Sequence, residues 1–163
     1  MKTKIQRLLA LGFCLWCVST RAGQLSVGDA VPAIAANDQH GAAFQFTNGI
    51  RFLLVVTEMA AAKSANQKLA AAGAGFLEQH HAAYLMDIHT MPAIARVFAL
   101  PKIRKYPQRI VLVETAGTLA AFPAQPGRVT VLALTPAGRV EKISYWDPAR
   151  EPAGGFFNPE QSK

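Results

Sequence analysis

The chain contains two cysteines, arranged as Cys14-Leu15-Trp16-Cys17. That spacing suits a dithiol that cycles between thiol and disulfide. Such chemistry needs a thiolate held by a helix N-terminus or a cation and open to its partner. The surrounding residues point elsewhere. Lys2, Lys4 and Arg7 precede an uncharged apolar run, Leu8 to Val18, and Thr20 and Ala22 follow at the small −3 and −1 positions. This is the order of a secretory signal peptide, with cleavage expected after Ala22. The run is too short for a bilayer core of about 30 Å. Phe13, Leu15 and Trp16 are too bulky for Cys17 to end a lipidation box. The expectation is an exported chain that starts at Gly23, keeps no stable membrane anchor and carries no cysteine, hence no disulfide.

Other residue sets could also do chemistry. Asp87 and His89 lie two apart at the end of an apolar run and could hold a metal. No third or fourth ligand can be named, so the reading is a solvated strand end and no metal site. Adjacent His80 and His81 would point opposite ways on a strand. Lys102, Arg104, Lys105 and Arg109 surround Tyr106. They read either as a patch for an anion or acidic partner or as a solvated loop. Thr57, Glu58 and Ser64 fall near an expected helix start, where Thr57 suits a cap and Glu58 suits the helix dipole. No G-x-S-x-G frames Ser64, and no G-x-G-x-x-G follows a strand, so neither a catalytic residue nor a cofactor is assigned. Four of the 17 basic residues and no acidic ones precede Gly23, leaving 13 against 10, or +3. That balance gives no footprint for nucleic acid.

The elements that would position these residues follow from pattern. Ala33 to Ala36 and Ala43 to Phe46 flank a turn at 37–41 and could pair as a hairpin. Residues 51–57, RFLLVVT, form a continuous apolar run, as in a strand buried on both faces. The alanine-rich stretch 58–72 predicts a helix ending at Gly73, with a further turn to Gln79. Residues 82–87 predict a strand. Pro92 suits the first turn of a helix to about Leu100, with Ile94, Val97 and Phe98 on one face. Residues 109–114 predict a third core strand, Leu119 to Phe122 a short return strand, and 129–134 with 139–145 a hairpin. The pattern yields an α/β fold: a mixed sheet flanked by helices, with an N-terminal β-hairpin and a C-terminal antiparallel hairpin. One domain is expected over 23–146, followed by a loose Pro/Gly-rich tail, 147–163, whose Phe156 and Phe157 loosely cover a sheet face or serve as a docking peptide.

This order resembles the thioredoxin-like fold, in particular its redoxin and peroxiredoxin branch. The stretches Val27-Gly28-Asp29-Ala30-Val31-Pro32 and Asp38-Gln39-His40-Gly41 are similar to the branch's opening motifs, and the resemblance covers roughly residues 25–145. Residues 84–92 and 98–107 resemble small periplasmic cysteine-less redoxin-like proteins of Gram-negative bacteria, some of which carry a flavin-dehydrogenase label. The resemblance implies a periplasmic location and a redox site where residues 51–57 meet their helix. Thr57-Glu58-Met59-Ala60-Ala61-Ala62-Lys63-Ser64 occupies that place without a cysteine, so thiol–disulfide exchange and peroxidase activity are not expected. The family's cis-proline falls on Pro107. The implied groove comprises Thr57, Glu58, Met59, Lys63, Ser64, Tyr106 and Pro107, and it would take a periplasmic protein or peptide by backbone pairing. The expected function is that of a non-catalytic binding or accessory protein. The alternative is a cysteine-independent oxidoreductase or flavin-associated protein.

Overall fold

The structure, a computed structural model, describes residues 23–46 and 49–157. The expected export signal, with Cys14 and Cys17, lies outside them. Seven strands form one mixed sheet: β1 (Ala36–Asp38), β2 (Ala43–Phe44), β3 (Phe52–Val56), β4 (Ala82–Asp87), β5 (Val111–Val113), β6 (Val129–Leu134) and β7 (Val140–Trp146). Their order across the sheet is β2-β1-β5-β4-β3-β6-β7. β3, β4 and β5 run parallel, whereas β6 pairs antiparallel with β3 and β7 with β6. Helices α1 (Met59–Ala72), α2 (Phe76–Gln79) and α3 (Ala93–Ile103) fill the crossovers.

The continuous apolar runs have a simple cause: the central strands are covered on both sides. Leu54, Val56, Tyr84, Met86, Leu112 and Val131 face α1 and α3, together with Ala61, Ala65, Leu69 and Ile103. Leu53, Val55, Leu85, Val111 and Leu132 face the other way, onto Ile34, Phe44, Leu119 and Phe122. The small side chains of Ala61, Ala62 and Ala65 let the α1 backbone lie close to the sheet, and all are buried.

The structure departs from the expected elements in several places. The N-terminal hairpin forms at 36–38 and 43–44 rather than 33–36 and 43–46. Leu119 to Phe122 makes consecutive turns instead of a strand, because Leu119 and Phe122 both drop into the second core while β6 takes the place beside β3. α3 runs through Pro101 to Ile103. Its face toward the core is Ala95, Ala99 and Ile103; Ile94, Val97 and Phe98 face solvent, at 69%, 64% and 66% exposure. His80 and His81 sit in the turn after α2 rather than on a strand, with His81 at φ 51°. The described peptide bonds are all trans, that before Pro107 included, the state an X–Pro bond favours by about 0.5–1 kcal/mol. The tail is packed as far as Phe157, which is buried in a short 3₁₀ turn, Gly155–Phe157.

The turn at Asp38 is tied by charge. Its Oδ1 accepts from the His40 and Ala42 amides, both at 2.9 Å, and its Oδ2 accepts from Arg109 Nε at 3.0 Å. Burial alone would raise the Asp38 pKa; the Ala42 and His40 amides and the Arg109 guanidinium outweigh it and hold the carboxyl below its ordinary 3.8. A depressed folded-state pKa means stability that is present above the unfolded value and lost as pH falls through the folded one. Asp38→Asn is therefore expected to cost about 2 kcal/mol at neutral pH. The gap to the parent should narrow below about pH 4, where both pKa values begin to be crossed. Urea unfolding of both proteins at pH 7 and at pH 3 measures it; an equal gap at both pH values would contradict this account.

Candidate binding groove

The C-terminal end of β3 delivers Thr57 and Glu58 to the start of α1. Because β6 runs antiparallel to β3, with Val55 opposite Thr130, the loop entering β6 must lie at this same end. Its Gly127 amide donates to Glu58 Oε2 at 2.9 Å. Gly127 has φ 71°, a left-handed conformation that glycine adopts without strain. Thr57 does not cap α1. The N-cap position is Glu58, whose extended backbone makes no side-chain cap bond, since its carboxylate is turned to Gly127. The junction where the sequence resemblance implies redox chemistry thus presents a carboxylate–amide contact and the exposed Met59.

Beside it, between α1 and α3, lies a cavity of about 470 Å³ lined by Met59, Lys63, Asn66, Met86, Lys102 and Tyr106, among others. Of the expected groove residues, the structure brings Met59, Lys63 and Tyr106 together there. From the expected basic patch it adds Lys102. Thr57, Glu58, Ser64 and Pro107 do not line the cavity; Ser64 is half-buried on α1 and Pro107 is exposed. The patch itself is dispersed. Arg104 donates to the Gln39 carbonyl at 3.1 Å, Arg109 is held by Asp38 and the Ala43 carbonyl, and Lys105 is exposed. A more open hollow of about 860 Å³ borders the N-terminal hairpin, and none of the expected groove residues lines it.

Residues absent from the expected set complete the groove. Asn66 is buried in its floor, 3% exposed. Its amide nitrogen reaches Met86 Sδ at 3.9 Å, and its backbone carbonyl accepts from Gln108 Nε2 at 3.2 Å. Gln39 joins the same network: its Nε2 donates to the Gln108 carbonyl at 2.8 Å, and its Oε1 accepts from the Ile110 amide at 2.7 Å. Among the described residues, three buried side-chain polar atoms have no hydrogen-bond partner: Asn66 Oδ1, Gln108 Oε1 and the Tyr84 hydroxyl. Burial, with a smaller contribution from Tyr106, holds the Tyr84 phenol protonated far above its ordinary range. The only sequence sign of this interior was a set of amides flanking apolar runs, which composition alone reads as surface.

Asp87 and His89 form a pair of their own. His89 Nδ1 meets Asp87 Oδ1 at 2.7 Å, and the His89 amide donates to the same oxygen at 2.9 Å. Arg96 secures the following loop through the Ile88, His89 and Met91 carbonyls. Among the described residues no group of three or more His, Cys, Asp or Glu could hold a metal ion. No described helix is long and apolar enough to cross a membrane. In chemical terms the groove offers apolar walls, two lysines at its mouth and a buried amide. Residues 57–64 offer no atom able to replace a thiolate in disulfide exchange.

The parallel β3-β4-β5 core with its antiparallel β6-β7 edge is a thioredoxin-like fold. A peroxiredoxin-like protein from Aquifex aeolicus superposes with a TM-score of 0.55 at 11% identity, over 82% of this chain and 84% of that one. A hypothetical protein from Sinorhizobium meliloti superposes with a TM-score of 0.55 at 16% identity, over 82% and 77%. At these identities the likeness is one of fold. No family model and no curated protein sequence matches the chain.

Proposed function

We propose that the protein is an exported, periplasmic binding or accessory protein that uses a thioredoxin-like fold without thiol chemistry and engages a protein or peptide at the α1–α3 groove. The observation that carries this reading is the β3–α1 junction. It holds Met59 and alanines where disulfide chemistry needs a cysteine, and Glu58 is committed to Gly127. The adjoining groove keeps an apolar, cation-rimmed lining with no acidic residue in it. A fold that retains its binding face and lacks its nucleophile can still select a partner.

The test uses protein purified from the periplasm. Its intact mass should start at Gly23, and reduction of insulin disulfides should stay at the buffer rate. Met59→Glu and Tyr106→Glu place charge in the groove wall, where both parent side chains are partly exposed and folding should survive. Each is expected to abolish stoichiometric capture of the partner that the parent retains. Capture unchanged in both variants would discard the groove, and insulin reduction above buffer by the chain from Gly23 would discard the non-catalytic reading.

A further inference from the structure

Helix α3 is apolar on the face it buries and on the face it shows to solvent. Ala95, Ala99 and Ile103 pack toward the core. Ile94, Val97 and Phe98 stand in water, and Pro101 beyond them is exposed as well. At about 100° per residue these four side chains form one unbroken ridge about 100° wide. Three of the five large exposed hydrophobic residues among those described therefore share a single ridge. Scattered apolar side chains are ordinary on a surface, whereas a contiguous set marks a contact. The charge around this ridge is one-sided. From Ile88 to Val113 the chain carries five Lys and Arg and no Asp or Glu. Lys102 follows Phe98 by one turn, and Lys102, Arg104 and Lys105 are all exposed at the C-terminal end of the helix. Glu114 approaches α3 at Arg96, at 3.7 Å. Arg96 lies about 160° round the helix from Ile94, away from the ridge.

We propose that this ridge docks the folded protein on an anionic lipid surface. Ile94, Val97, Phe98 and Pro101 enter the boundary between headgroups and acyl chains, and Lys102 and Lys105 meet lipid phosphates. The contact is peripheral and reversible, like that of an amphipathic helix lying in the interface plane. Charge and size select this occupant. A second copy would bring the same cations to the same ridge, and the ridge has no carboxylate to receive them, so the surface is not complementary to itself. A stable protein partner needs about 800 Å² from each side, spread over about 20–30 residues. Four side chains and a helix end fall well short of that. A bilayer needs less, because it supplies apolar depth beneath a negative surface, and a few inserted side chains act together with neighbouring lysines. Of these residues Lys102 alone also lines the α1–α3 groove, so the lipid contact is a second surface rather than an extension of the first.

The test floats protein purified from the periplasm with vesicles of phosphatidylcholine, with and without an equal share of phosphatidylglycerol. Binding is expected on the anionic vesicles alone, and high salt should weaken it. Phe98→Ala should lower the partition coefficient roughly tenfold, through the lost ring. Lys102→Gln with Lys105→Gln should lower it roughly twentyfold on anionic vesicles. All three positions are exposed, so circular dichroism should match the parent. A parent that stays off anionic vesicles would overturn the proposal, as would binding that Phe98→Ala leaves intact. So would a parent dimer, seen by analytical ultracentrifugation, that Phe98→Glu dissolves, since a second copy would then cover the ridge. A soluble protein whose capture Phe98→Glu abolishes, with anionic vesicles left unbound, would give the ridge to a protein instead. Partner capture that depends on Met59 and Tyr106 is read separately, so loss of the lipid contact alone leaves the groove standing.

Discussion

Met59→Cys combined with Ala62→Cys is expected to give this fold dithiol oxidoreductase activity. The test belongs in a Cys14→Ser, Cys17→Ser background, so that only the new pair titrates. The two positions already have the right environments. Met59 is the first residue of α1 and 45% exposed, whereas Ala62, three residues on, is 1% exposed. A thiol at the first position would lie at the helix N-terminus, where the dipole and unpaired amides stabilise a thiolate. Its pKa should fall from about 8.5 toward about 7. The Glu58 carboxylate next to it opposes that fall, so adding Glu58→Gln should lower the thiol pKa further and raise its reactivity at neutral pH. Ala62→Cys adds a sulfur atom to a tight interface and is expected to cost about 1 kcal/mol. Insulin reduction, with thiol titration by absorbance, measures the outcome. A reduced, solvent-reachable thiol at position 59 with no activity above the parent would show that the fold needs more than the cysteine pair. The loop at Gly127, set across the site by its bond to Glu58, would then be the feature that closes it.

Much of this architecture was legible because it is driven by burial. The runs at 52–56, 82–87 and 129–134 are apolar at successive positions, and only a strand covered on both faces needs that. Alanine density and Gly73 marked α1 to within a residue. What the pattern could not give was orientation. α3 is apolar nearly all round, so periodicity alone marked Ile94, Val97 and Phe98 as a face without saying where it pointed. Close approach to the sheet decides it, and that selects Ala95 and Ala99. The groove was half legible for a related reason. Met59, Lys63 and Tyr106 are local to the helix ends named by the resemblance. Asn66, Met86 and Gly127 belong to the site only through contacts across the fold; the Glu58–Gly127 bond joins residues 69 apart. One available clue went unused: Pro126-Gly127 is a turn signal just before a β-run, and a strand antiparallel to β3 must begin at the mouth of α1. The basic cluster misled because charge spacing in sequence says nothing of partners. Asp38 and the Gln39 carbonyl, far away in the chain, take Arg109 and Arg104.

The tail gives the second large effect. Composition reads 147–157 as loose, since Pro148, Pro152, Gly154 and Gly155 disfavour regular structure. The fold uses those same residues to turn the chain back onto the helical face of the sheet. The Arg150 and Glu151 amides bond the Asp147 carbonyl, and the Trp146 indole nitrogen donates to the Glu151 carbonyl at 3.4 Å. Gly154, at φ 110°, passes so close to Phe76 that a Cβ would sit 3.4 Å from its ring. Phe157 then enters an aromatic cluster. It stacks on His80 with centroids 4.1 Å apart and meets Phe52 at 4.8 Å, Phe76 at 5.5 Å and Phe156 at 4.5 Å. Removing a buried phenylalanine ring costs about 3–5 kcal/mol. Phe157→Ala is accordingly expected to lose about 3 kcal/mol and lower Tm by about 10 °C. Phe157→Leu, which keeps most of the apolar area and loses the ring contacts, should fall between it and the parent. Phe156→Ala, at a half-buried ring packed on Trp146, should lose less than Phe157→Ala. Urea unfolding with calorimetry measures the series. A loss below about 1 kcal/mol for Phe157→Ala would mean the segment is as loose as its composition suggests. A double-mutant cycle with His80→Ala separates the stack from plain burial. Coupling of about 0.5–1.5 kcal/mol is the signature of direct ring contact.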